Sequence, residues 1–299
     1  MKKLNKRILT LIFLISAIAA NAQKLPAVQK ESVRAPANIK IDGLATEWDS
    51  QFHAYNKSIE VFYTIANDDD NLYLAIHAVN SRIIEKIIEG GITFTVNNSG
   101  KKEDKNNVIV LFPLLPLPTG KGVLVSAGKS LTGKTMTDDR QDITQSLNAA
   151  AQSNQKNPMD KANKELLENL KEIKISGINA VTDTVPGVTE KTPYFRTLPL
   201  RAHYLKFIDI NNHDNIKAMI QFENNGSLTY ELAIPIKYLG LSADSPQKFF
   251  YNITINGRGE DGRAGNTWSF NPPGVEPRMK DQDMEEPTDF NGEYTLAKK

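Results

Sequence analysis

The chain predicts an all-β protein: an antiparallel β-sandwich, jelly-roll-like, with a helical insertion around residues 136–175. Three observations carry that reading. Short runs rich in Val, Ile, Phe, Tyr and Thr recur along the chain, as strands do. Gly, Pro and Asn punctuate the intervals between them, where turns need such residues. Several runs alternate cleanly: in Ile92-Thr-Phe-Thr-Val96 the apolar residues face one way and the threonines the other.

The first element is a leader. Met1-Lys-Lys-Leu-Asn-Lys-Arg7 is basic, Ile8–Ala20 is apolar, and Ala20-Asn-Ala22 offers a small-x-small cleavage site before Gln23. These are the three parts of a secretory signal peptide, residues 1–22. The apolar run is shorter than the ~20 residues needed to span a bilayer, so no membrane anchor is expected after cleavage. The chain contains no cysteine, which excludes a lipid-modified N-terminal cysteine and disulfides alike. An exported protein follows, periplasmic or extracellular. Loss of Lys2, Lys3, Lys6 and Arg7 with the leader takes the formal net charge from +1 to −3. A mildly acidic chain of mixed charge lacks the clustered Lys and Arg of a nucleic-acid binder.

Residues 23–37 read as an extended lead-in and 38–299 as a single domain. Strand-like runs then follow at Ile59–Ala66, Leu72–Val79, Ile92–Val96, Val108–Phe112, Val123–Ser126, Ala218–Glu223, Thr229–Ile234, Phe249–Asn256 and Trp268–Phe270. The acidic Asn67-Asp-Asp-Asp-Asn71 is the turn between the first two. Asn224-Asn-Gly226 is a second hairpin turn, since Asn and Gly accept positive φ. Residues 136–175 break the rhythm. Asp160 can cap a helix from Lys161 to about Ile173 that gathers Ala162, Leu166, Leu170 and Ile173 on one face. Asp142–Ala151 offers another helix, joined through Gln152–Asn157. This insertion either packs on the sandwich or covers a ligand site as a lid.

Three segments carry a resemblance. Asn38-Ile-Lys-Ile-Asp-Gly43 with Glu47-Trp48, followed by Asn67-Asp-Asp-Asp-Asn-Leu-Tyr-Leu-Ala-Ile76, resembles the opening of carbohydrate-binding module family 9-like domains, a branch of the DOMON-type β-sandwiches. Leu228-Thr-Tyr-Glu-Leu-Ala-Ile-Pro-Ile236 with Leu239-Gly240 looks like a strand and turn of that family, and Pro287–Leu296 is similar to its closing strand. The likeness touches residues 38–79, 228–256 and 287–296; residues 113–215 match nothing in it. It implies a sandwich that binds sugars, often with structural calcium, in polysaccharide utilisation. The wider DOMON likeness leaves a second reading open, a haem-binding electron-transfer domain with an axial pair such as His77 and Met219.

Candidate chemistry is sparse. Gly128-Lys-Ser-Leu-Thr-Gly-Lys134-Thr135 matches the phosphate-loop pattern, yet export away from ATP and the lack of alternating β and α segments favour a Gly-rich turn and no nucleotide. The four histidines, His53, His77, His203 and His213, show no paired metal-ligand spacing. Glu260 and Asp261 sit in a Gly-rich loop without a partner, and no Gly-x-Ser-x-Gly elbow occurs. No catalytic residues are therefore nominated, and a hydrolytic accessory protein ranks third. Asp68, Asp69 and Asp70 are the calcium candidates, carboxylates being suited to that ion. Sugars lay C–H faces on aromatic rings and offer hydroxyls to amides and guanidinium groups. Trp48 reads as core; Trp268 is either a core residue or an exposed platform, and as a platform, with Arg258 and Asn256 before it, it makes the carbohydrate-binding set.

Overall fold

The computed structural model describes residues 25–48, 51–99, 107–115, 117–132, 159–178, 206–257 and 284–298. Their strands are β1 (Ala54–Asn56), β2 (Val61–Asn67), β3 (Asn71–Ala78), β4 (Ile92–Asn97), β5 (Val108–Phe112), β6 (Glu172–Ser176), β7 (Lys206–Asp209), β8 (Lys217–Phe222), β9 (Leu228–Pro235), β10 (Lys248–Ile255) and β11 (Thr288–Thr295). They form two antiparallel sheets, ordered β1-β2-β3-β9-β8 and β11-β10-β4-β5-β6-β7. The all-β sandwich is thus present.

Alternation decides what each sheet buries. Val61, Tyr63 and Ile65 of β2, Leu72, Leu74 and Ile76 of β3, and Tyr230, Leu232 and Ile234 of β9 face inward. Phe94, Val110, Phe112, Phe249, Tyr251 and Ile253 meet them from the six-stranded sheet. Full burial of each such side chain stabilises the fold by roughly 1.5–3 kcal/mol. Across the interface the Tyr63 and Tyr251 hydroxyls hydrogen-bond at 3.0 Å, which satisfies two buried polar groups at once.

The turns behave as their residues dictate. Between β2 and β3, Asp68 Oδ1 accepts the backbone N–H groups of Asp70 and Asn71, closing an Asx turn. Between β8 and β9, Gly226 takes φ +85° and Ser227 N–H donates to Asn225 Oδ1. Every expected strand among the described residues appears to within about two residues save one.

That exception is Val123–Ser126, which lies inside a helix, α2 (Leu117–Thr132), after α1 (Ser81–Gly90) and before α3 (Asp160–Asn169). The Val-Leu-Val run favours a strand locally, but Val123, Leu124 and Ala127 are buried in the main core with Ala162 and Leu166 of α3, and tertiary packing overrides propensity. Residues Gly128–Thr132 of the phosphate-loop match are therefore helical, correcting the expected Gly-rich turn. The helix begun at Asp160 ends at Asn169, with Leu170 already extended, so Ile173 belongs to β6 and pairs with Ile208. Helix α3, the described helix of the insertion, thus packs into the sandwich core through Ala162 and Leu166, beside α2, which precedes the insertion. Residues 1–22, Asp142–Ala151 and Trp268–Phe270 lie outside the described residues. Among the described residues no helix is long and apolar enough to cross a membrane.

Candidate functional site

The outer face of the five-stranded sheet is organised by one carboxylate. Glu231 points away from the main core on β9, yet it is fully buried because the segment Ile39–Trp48 lies over it. Its Oε2 accepts the backbone N–H groups of Asp42 and Gly43 at 3.0 and 2.9 Å, and its Oε1 accepts Trp48 Nε1–H at 2.8 Å. Burial pushes this carboxyl up to about 7, outweighing the Trp48, Gly43 and Asp42 donors that favour the anion. Trp48 packs with Ala66, Tyr73, Ala75 and Ala233, the core position expected of it. Gly43 takes φ +83°, and a Cβ there would stand 2.9 Å from the β8 backbone, so glycine lets the segment lie close. The Ile-Asp-Gly…Glu-Trp run and the Tyr-Glu of β9 are therefore two halves of one contact.

Beside that segment a register row crosses the sheet. Tyr55 pairs with Phe62, Phe62 with His77, His77 with Thr229, and Thr229 with Gln221, so all five side chains share the outer face. The Tyr55 and Phe62 rings lie 4.7 Å apart, and Phe52 stacks on His77 at 5.4 Å with an 18° interplanar angle. All four rings are half-buried. At the Tyr55 end, Leu25, Ala27 and Lys57 close a cleft of about 340 Å³ against Tyr55 and Phe62.

The other end of the row is polar. His77 Nδ1 stands 3.3 Å from Glu223 Oε1 and 3.2 Å from Thr229 Oγ1, while the Thr229 hydroxyl donates to Glu223 at 2.7 Å. The His77 contact, helped by Thr229 and opposed by partial burial, holds the Glu223 carboxyl down at about 2. Glu223 is thus a fixed acceptor, and its side chain keeps 29% of its surface exposed. Thr229 donates its hydroxyl proton to that carboxylate, which fixes the orientation of the Glu223 acceptor.

The expected site residues fare differently. Trp268 and Arg258 lie outside the described residues, as do Glu260 and Asp261. Asn256 is 3% exposed: its amide donates to Gly90 O and Thr93 Oγ1 at 3.1 and 3.0 Å, and its backbone N–H bonds Gly91 O. Those bonds splice the end of β10 to the α1–β4 junction, so Asn256 is a structural amide and not a surface contact for sugar. Asp68 is engaged in its turn and accepts the Tyr73 hydroxyl at 2.5 Å; Asp69 pairs with Arg34 at 2.8 Å; Asp70 stays exposed. Among the described residues no group of three His, Cys, Asp or Glu is placed to hold a metal ion. His77 and Met219 both face outward, two strands apart and one row out of register, with His77 Nδ1 directed at Glu223 and Thr229.

Phe52, Tyr55, Phe62 and Glu223 had no place in the sequence-derived site. One signal pointed to them: in Val61-Phe-Tyr-Thr-Ile65 an aromatic ring occupies the face opposite the buried one. Comparisons with protein-family models, with curated proteins and with solved structures each gave no match.

Proposed function

We propose that this protein is an exported, non-catalytic carbohydrate-binding module, serving polysaccharide utilisation, whose sugar site is the outer row from Tyr55 to Glu223. The observation that carries the reading is the row itself. Three aligned aromatic positions, Tyr55, Phe62 and the Phe52–His77 stack, lead to the half-exposed Glu223 carboxylate and Gln221 amide on one sheet face, with the buried Thr229 hydroxyl holding Glu223 in place. Rings receive the C–H faces of sugar units, and fixed polar groups at one end take their hydroxyls. A sheet holds such a row more rigidly than a loop would. The opening Ile-Asp-Gly…Trp segment, whose residues resemble those of family 9-like modules, lies against Glu231 on the same sheet face.

Calorimetric titration of the mature chain with cello-, xylo- and malto-oligosaccharides tests this. Phe62→Ala should weaken binding of the best ligand by roughly 1–3 kcal/mol, the size of an anchoring aromatic contact, with the thermal midpoint nearly unchanged. Trp268→Ala, titrated in parallel, reports on the alternative sugar platform beyond Arg258. If Phe62→Ala binds as the wild type does while Trp268→Ala does not, the site is the Trp268 loop and the row is wrong.

A further inference from the structure

The same outer face carries a second cleft on the far side of the Ile39–Trp48 segment. It measures about 640 Å³, and three lysines from three separate segments line it: Lys40 within that segment, Lys217 at the start of β8, and Lys237 in the 3-10 turn Ile236–Leu239. Asp70 is the one carboxylate among its described lining residues. None of the three ammonium groups is ion-paired with a carboxylate among the described residues. Asn71 and Asn215 add amides to the same wall. Asn71 lies six residues along β3 from His77, about 20 Å at strand rise, so the cleft is separate from the aromatic row.

Three lysines gathered around one cleft with a single carboxylate among its described lining residues leave an excess of positive charge that an anion offsets. Lys237, whose Nζ lies 4.8 Å from the Tyr238 ring centre, is exposed and can swing to it. Each ammonium group offers three donors, and amides beside them suit hydroxyls. We propose that this cleft binds the acidic groups, carboxylate or sulfate, of an anionic saccharide. The proposal rests on the carbohydrate-binding reading and narrows it from sugars in general to acidic glycans.

The mature chain is titrated at low salt with an oligogalacturonate, a sulfated chondroitin oligosaccharide, a malto-oligosaccharide of equal length and sodium sulfate. The double variant Lys217→Gln/Lys237→Gln and the single variant Phe62→Ala are run beside it. An acidic saccharide should bind at least about tenfold more tightly than the neutral one, as charge-assisted hydrogen bonds require. That advantage should shrink as salt rises and disappear in the double lysine variant, whose thermal midpoint stays unchanged. Equal affinity for acidic and neutral probes, or no binding of either acidic probe, overturns the inference. So does sulfate alone binding as tightly as the saccharides, or an advantage that survives loss of both lysines. Acidic binding that ignores Phe62→Ala, with no neutral binding at all, instead overturns the aromatic row and leaves the lysine cleft standing.

Discussion

At the scale of single residues, Glu231 and Tyr230 are neighbours with opposite fates. Glu231 faces outward and finds three N–H donors; Tyr230 faces the core, where its hydroxyl is fully buried without a hydrogen-bond partner among the described residues. A buried carboxyl raised from 4.5 to about 7 binds its proton more tightly folded than unfolded. Stability from this group is therefore fully present below pH 4.5 and is lost as pH rises through 7, on the order of 3 kcal/mol. Glu223 works in the other direction and outside that window, its contribution being lost only as pH falls from 4.5 towards 2. Urea unfolding at pH 5 and pH 8 should show wild type falling relative to Glu231→Gln between the two values. Parallel behaviour of the two proteins would contradict the burial account. For Tyr230→Phe the expected change is small or stabilising, because removing an unsatisfied hydroxyl relieves a desolvation cost of roughly 1–3 kcal/mol. A loss greater than about 1 kcal/mol in urea unfolding would mean that the hydroxyl has a partner. Glu231 was legible as a letter in a motif, but not as a buried one: alternation assigns it to the outer face, and only the overlying segment buries it.

At the scale of elements, legibility followed periodicity. Strands with clean alternation and Asn-, Asp- or Gly-containing turns were readable to within about two residues at each end. Helix α1 was not, although Ile83, Ile84, Ile87 and Ile88 repeat with helical spacing and Asn80 caps the first turn by accepting Arg82 N–H at 3.0 Å. Four isoleucines in ten residues carry strand propensity, which hides that pattern. Helix α2 was misread for the same reason, and β6 was absorbed into the preceding helix even though Ile173 and Ile175 alternate with charged Glu172 and Lys174. The segment Ile39–Trp48 is the element that sequence reasoning left as a motif and that the fold uses as a clamp. Gly43→Ala tests the clamp: with φ +83° and backbone atoms 2.9 Å from the new methyl, it should cost about 1–3 kcal/mol in urea unfolding. A cost under about 0.5 kcal/mol would show that the segment can lift away freely.

At the scale of the whole molecule, the two ends of the domain touch. β11 pairs with β10 over its full length, Phe290 and Tyr294 enter the main core, and the Tyr294 hydroxyl accepts Val33 N–H at 2.8 Å. Asn67 exchanges hydrogen bonds with the Ala297 backbone at 3.1 and 2.7 Å. Deleting residues 284–299 should uncover the β10 edge and abolish the cooperative thermal transition; a truncated chain with an unchanged midpoint would show that the C-terminal strand is dispensable. The candidate site was less legible than the fold, because it depends on which strands become neighbours. Tyr55, Phe62, His77 and Thr229 come from four strands spread over residues 54–235, and their shared row exists only in the register. The amide shifts of isotope-labelled residues 23–299, followed during titration with the tightest-binding neutral oligosaccharide, test that row most directly. The largest changes should fall at residues 52–62, at His77 and at 221–229. Changes centred on the outer face of the six-stranded sheet, or none at saturation, would contradict the assignment of the sugar site to this face.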